Sequence, residues 1–123
     1  MKIISAAVIT LALVASSAPL SAHHSWPVNT DKLVTVKGTI TKVEWGNPHP
    51  MFTLEVRDAG KVETWQIGGP AVTRMQANGW TKDTLKPGDV VTGTGYQFSD
   101  GQKIIRLESV VLTDGKELRV YRR

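Results

Sequence analysis

Polar and apolar residues alternate along much of the chain, with the period of half-buried β-strands. The alternation begins at Leu33 and slips by one residue after Thr41, where Val43 and Trp45 take over the apolar face. A slip of this kind predicts a long first strand bent by a β-bulge. Further alternating segments predict later strands at residues 52–57, 61–67, 90–96, 104–112 and 117–121.

Glycine and proline mark the connections between these strands. Residues 46–50 and 58–60 form the first two turns, Pro87-Gly88 suits the centre of a type II turn, and residues 114–115 predict a hairpin. A short helix is expected between the third and fourth strands, with Pro70 at its first position and Gly79 just beyond its end.

The order of these elements predicts a mainly β protein with one short helix between strands 3 and 4. This is the plan of the OB-fold, a small antiparallel Greek-key barrel. Another small antiparallel barrel or sandwich is the alternative. Residues 23–123 are expected to form a single domain, and residues 23–32 an extended N-terminal arm.

The first residues have the order of a secretory signal peptide. Lys2 gives a positive start, an apolar stretch follows, and small residues lead to Ala22. Cleavage after Ala22 is expected, since cleavage after Ala18 or Ser21 would place Pro19 too close to the cleaved bond for efficient processing by signal peptidase. The protein should then be periplasmic or secreted. An uncleaved membrane anchor is the alternative, but the apolar stretch is shorter than the roughly 20 residues that a spanning helix needs. No transmembrane segment is expected after cleavage.

The charge balance and the lack of cysteine exclude several classes of partner and of catalytic or metal site. The chain has 15 Lys and Arg against 11 Asp and Glu, and the charges are interspersed apart from the terminal Arg122-Arg123. Such a mild excess indicates a solvated surface, so no nucleic-acid partner is expected. The chain has no cysteine, which excludes thiolate catalysis, iron–sulfur clusters and Cys-type zinc sites.

The three histidines are the candidate metal ligands: His23, His24 and His49. After cleavage His23 would carry both a free α-amine and an imidazole, and together these form a chelate. A second imidazole would complete a histidine brace, a nitrogen-rich set that suits Cu(II). His49 is the natural partner, while His24 could replace it or help to bind zinc tetrahedrally.

Pro48 and Pro50 flank His49 and restrict its loop. In OB-folds this loop and the one at residues 97–102 flank the usual binding face. The candidate ligand-binding loop residues are Trp45, Asn47, Pro48 and Asp100, with Asp31 and Met51 as accessory candidates. Met51 and Met75 are candidate soft ligands for Cu(I), although a methionine on a strand or helix more often fills the core.

Each of these candidate residues also has a purely structural explanation. The His-His pair is also typical of a soluble tail, and His49 of an exposed loop. The four tryptophans, Trp26, Trp45, Trp65 and Trp80, are expected mainly to fill the barrel and cover its ends, with Trp45 the one nearest the His49 loop. No nucleophile elbow, phosphate loop or HExxH motif is present, so the sequence gives no sign of an enzyme.

Three stretches together resemble a family of small exported bacterial proteins of unknown function. They are His23-His24-Ser25-Trp26, residues 45–49 (Trp-Gly-Asn-Pro-His), and Gly79-Trp80 followed by Leu-Lys-Pro-Gly-Asp at residues 85–89. Asp31 would match the family's Asp after the arm. The resemblance implies export and a small β-barrel, and that the two histidine motifs occur together. It implies no established activity.

Three functions remain open at this point. The first is a non-enzymatic exported module that binds a divalent metal, copper preferred and zinc possible, through the three histidines. The second is a metal-free OB-type module for a small molecule, an oligosaccharide or a protein partner. The third is a copper or zinc enzyme that uses the same ligands with an open coordination position.

Overall fold

The computed structural model describes residues 26–121, which contain six β-strands and one short helix. The elements are β1 (Val28–Glu44), β2 (Met51–Asp58), β3 (Lys61–Gly68), α1 (Val72–Ala77), β4 (Val90–Phe98), β5 (Ile104–Val111) and β6 (Glu117–Arg119). The strands that follow β1 agree with the alternation within one or two residues at either end. The prediction of a mainly β chain with one short helix between strands 3 and 4 is confirmed for these residues.

All six strands belong to one sheet, in the order β3-β2-β1-β4-β5-β6. Neighbours in this order pair antiparallel, and an additional pairing of β3 with β5 closes the sheet into a barrel-like ring. The closing pair is parallel and short, joining Gln66–Gly68 to Ile104–Arg106. The ring runs 1-2-3-5-4 and back to 1, which is the Greek-key arrangement that the element order predicts.

Strand β1 is long because it takes part in two halves of the ring. Its later residues pair with β2 and its earlier ones with β4. The register with β2 shifts between Ile40 and Lys42, so the predicted bulge at Thr41 is confirmed. The strand begins at Val28 and not at Leu33, because Val28 already pairs with Phe98 at the end of β4. The later part of the predicted arm is therefore strand.

The core lies inside the ring and is built from the inward-facing residue of each alternating pair. Its most deeply buried large side chains include Phe52, Leu54, Ile67, Ile105 and Leu107. Trp80 is also buried, and its indole Nε1 donates a hydrogen bond to the Arg119 carbonyl. Trp45 and Trp65 are partly buried against the core. These three tryptophans are thus structural, as expected.

Helix α1 ends just before the predicted glycine. Gly79 has φ +88, and its N–H donates to the Gln76 carbonyl, while the Trp80 N–H donates to the Met75 carbonyl. This pair of bonds is a Schellman motif. The predicted start differs, because Ala71 keeps an extended ψ of 146 and acts as N-cap, which places Pro70 outside the helix. Within residues 26–121, no helix has the length and apolarity to cross a membrane.

Candidate functional site at the arm and the His49 loop

The described chain begins beside the His49 loop. The indole of Trp26 lies with its ring centroid 4.4 Å from that of the His49 imidazole, at an interplanar angle of 46°. It also packs against the ring of Phe98 in a T-shaped arrangement, with centroids 5.6 Å apart. Trp26 therefore bridges the loop between β1 and β2 and the end of β4. We call Trp26, His49, Met51 and Phe98 the Trp26 cluster.

Backbone bonds fix the chain at this place. The Pro27 carbonyl accepts hydrogen bonds from the Ser99 backbone N–H at 2.8 Å and from the Ser99 hydroxyl at 2.9 Å. Val28, the next residue, pairs with Phe98 in the sheet. Two hydrogen bonds and a strand pairing therefore hold the segment from Trp26 to Val28 against the end of β4 and the loop that follows it.

Gly68 provides the space for the Trp26 ring. It lies opposite Met51 in the β2–β3 register. A Cβ atom added at Gly68 would overlap both the Trp26 Cη2 and the Met51 Sδ. The indole and the thioether therefore occupy the volume that any other residue would fill with its own side chain. This close approach is the reason why the position requires glycine.

The imidazole of His49 is partly buried and oriented by its neighbour. Its Nδ1 lies 3.4 Å from the Pro50 carbonyl oxygen, which also accepts a hydrogen bond from the Gly69 N–H at 3.1 Å. In the tautomer that carries its proton on Nδ1, this carbonyl accepts the hydrogen bond and Nε2 holds the lone pair that a metal requires. Pro50 itself is buried, and the peptide bond between Asn47 and Pro48 is cis.

The other predicted site residues lie around this cluster without completing it. Trp45 is half-buried against the core, and Asn47 and Pro48 are exposed in the loop. Asp100 accepts hydrogen bonds from the side-chain amide and the backbone N–H of Gln102, and these bonds lower the pKa of its carboxyl. Asp31 is exposed in β1, where its N–H donates to the Asn29 Oδ1.

Within the part of the chain that the structure describes, no three histidine, aspartate or glutamate side chains are grouped so as to hold a metal ion. Asp31 and Asp100 therefore do not form a three-residue ligand set with His49. His23 and His24 lie outside the described residues, as does the predicted signal peptide. The histidine set that the sequence predicts thus has one described member, His49.

Sequence reasoning missed four residues that build the site: Trp26, Gly68, Phe98 and Ser99. The sequence groups Trp26 with the tryptophans that fill the barrel or cover its ends and places Trp45 nearest the His49 loop, whereas Trp26 is the tryptophan in ring contact with His49. A signal was present, because Trp26 follows His23-His24-Ser25 directly. Gly68 offers no comparable signal, because nothing in its own sequence context indicates which ring fills the space above it.

The chain matches no curated protein. A family model described as a family of unknown function, DUF6152, matches residues 10–105. The matched segment contains all three histidines, the Trp26 cluster and strands β1 to β4. The chain therefore belongs to the DUF6152 family of unknown function.

Proposed function

We propose that the protein is exported, cleaved after Ala22, and then acts as a periplasmic or secreted metal-binding module. His23, His24 and His49 are the proposed ligands, copper is the preferred metal and zinc the second choice. The observation that carries the proposal is the contact between Trp26 and His49. It brings the start of the described chain, just after the histidine pair, against the one histidine of the loops.

The length of the chain supports a shared site. His24 and His23 are two and three residues from Trp26 in sequence, and an extended chain spans at most about 3.3–3.6 Å per residue. Since the Trp26 and His49 rings are in contact, only a short length of chain separates the pair from the residue that touches His49, which supports a shared site. A histidine pair far from Trp26 in sequence would have no such connection.

The donor chemistry favours copper. The α-amine of His23 has a reference pKa of about 7.7–8.0, so a metal ion displaces its proton near neutral pH. Amine and imidazole from one residue, with a second imidazole from His49, give a nitrogen set that suits tetragonal Cu(II). Zinc would favour a tetrahedral set, in which His24 supplies a further imidazole.

The fixed segment from Trp26 to Val28 also lowers the entropic cost of binding a metal ion. Ordering a flexible tail around a metal opposes binding, because the tail loses conformational freedom. In this protein the two bonds from Ser99 to the Pro27 carbonyl already fix the chain three residues after His24. A segment that is already fixed next to the proposed ligands lowers this cost, which supports an affinity above that of a free His-His peptide.

The proposal is tested by titrating the mature protein with Cu(II) and Zn(II) in competition with a chelator. The protein is expressed with its own signal sequence, and mass spectrometry checks that it begins at His23. We expect His49→Ala to weaken Cu(II) binding by at least the roughly 10–100-fold that the loss of an outer-shell partner costs. Lys82→Ala, an exposed change after helix α1 and outside the candidate site, should leave the affinity unchanged.

Two results would contradict the proposal. One is a Cu(II) affinity no higher than that of a His-His-Ser-Trp peptide. The other is equal affinity in the wild-type protein and His49→Ala. Either result would favour a metal-free module that binds a small molecule, an oligosaccharide or a protein partner on the same loop face.

A further inference from the structure

Met51 is the first residue of β2 and follows His49 of the preceding loop by two positions. The two residues flank Pro50, and burial alternates along this segment, with His49 and Met51 partly exposed and Pro50 and Phe52 buried. An imidazole and a thioether therefore both lie, partly exposed, at the entry to β2, one in the loop and one on the first residue of the strand.

The Trp26 ring adjoins both of these side chains. Its centroid is 4.4 Å from that of the His49 ring, and its Cη2 shares with the Met51 Sδ the space above Gly68. The three side chains thus come together from the arm, the first loop and β2. Met75 differs, because it is fully buried and packs over Gly69 as part of the core.

This combination of donors is a soft one. Thioether sulfur selects Cu(I) over harder ions, and imidazole binds copper as well. The face of an indole attracts a cation that lies within about 6 Å of its centroid, and tryptophan is the strongest side chain in this role. No carboxylate takes part, so the set offers nothing that a hard divalent cation such as Mg²⁺ or Ca²⁺ requires.

We propose that His49, Met51 and Trp26 form a site for Cu(I), with His49 Nε2 and Met51 Sδ as donors and the Trp26 ring covering the ion. The inference builds on the proposed copper binding and adds a second oxidation state to it. His49 is shared: with the N-terminal amine and imidazole it serves Cu(II), and with the thioether it serves Cu(I). The step is binding alone, with no electron transfer.

The competing explanation is that Met51 only packs against Trp26, since sulfur–aromatic contacts are favourable without a metal. Met51→Leu separates the two explanations, because leucine keeps the volume and apolar character but removes the sulfur. Met75→Leu is the matched control at a methionine assigned to the core. Circular dichroism and thermal melting check that both variants are folded.

The test uses the mature full-length protein and two probes: Cu(I) under anaerobic conditions in competition with a chromophoric chelator, and Ag(I) as its redox-inert counterpart. Affinity and tryptophan emission are measured for both. We expect Met51→Leu to weaken Cu(I) and Ag(I) binding by on the order of tenfold or more, by comparison with outer-shell losses of roughly 10–100-fold. Its Cu(II) affinity should be unchanged, and Met75→Leu should match the wild type with all three ions.

A second measurement needs no substitution. In protein labelled at the methionine methyl groups, Ag(I) should shift the ε-methyl resonance of Met51 and leave that of Met75 in place. Equal Ag(I) affinity in Met51→Leu and the wild type, or an unmoved Met51 resonance, would overturn the Cu(I) site while leaving the Cu(II) proposal intact. Conversely, normal Cu(II) binding in His49→Ala together with a loss of Ag(I) binding in Met51→Leu would remove the shared Cu(II) set and support the soft site.

Discussion

A mature chain that carries one additional, N-acetylated residue before His23 should lose most of its Cu(II) affinity. The extra residue converts the α-amine of His23 into an amide, and the acetyl group leaves no new terminal amine that could anchor Cu(II), so the amine–imidazole chelate is lost. Since the amine is a proposed direct ligand, we expect a loss beyond the roughly 10–100-fold that outer-shell changes cost. Competition titration at constant pH measures it.

The matched control carries the same extra residue after Arg123, at the other end of the chain. It should bind Cu(II) as the wild type does. Binding of Cu(I) and Ag(I) should be retained by both extended proteins, since the proposed Cu(I) ligands are side chains of the described segment. If the extension before His23 leaves Cu(II) affinity unchanged, the amine is not a ligand and the histidine brace is excluded.

Gly68→Ala should displace the Trp26 ring and separate the arm from His49. The added Cβ would overlap the Trp26 Cη2 and the Met51 Sδ, and both are ends of side chains that can move. The backbone at this strand residue needs no left-handed conformation, so the change should act on the arm more than on the sheet. We expect on the order of a tenfold loss of Cu(II) affinity, comparable with the removal of a supporting partner.

Gly93→Ala is the control, because it is a buried strand glycine whose added Cβ would meet Leu107 Cδ1 at an ordinary contact distance of 3.4 Å. Nuclear Overhauser contacts between the Trp26 indole and the His49 ring should be present in the wild type and in Gly93→Ala, and absent in Gly68→Ala. Loss of these contacts with full retention of Cu(II) affinity would show that the position of Trp26 has no part in metal binding.

Local patterns predicted the elements of the fold well. The slip in alternation at Thr41 marks a bulge, because the side-chain period of a strand is two and an extra residue inverts it. Gly79 was found as the residue that ends the helix, because a residue with positive φ is needed there. In each case the physical cause acts between residues that are close in sequence.

The arrangement of the site was not predictable in the same way. The start of β1 depends on the pairing of Val28 with Phe98, which are distant in sequence and have no local signal for each other. The position of Trp26 depends on the absence of a side chain at Gly68 and on the Ser99 bonds to Pro27. Such features appear only once the ring is closed and separate loops meet.

The most direct test of the central claim, that the N-terminal arm and His49 bind one metal ion, is pulsed electron paramagnetic resonance of the Cu(II)-loaded mature protein. Spectra of the wild type and of His49→Ala are compared at one equivalent of Cu(II). We expect the wild type to show imidazole nitrogens from both the arm and the loop, and His49→Ala to lose one imidazole signal. Identical spectra for the two proteins would contradict the claim.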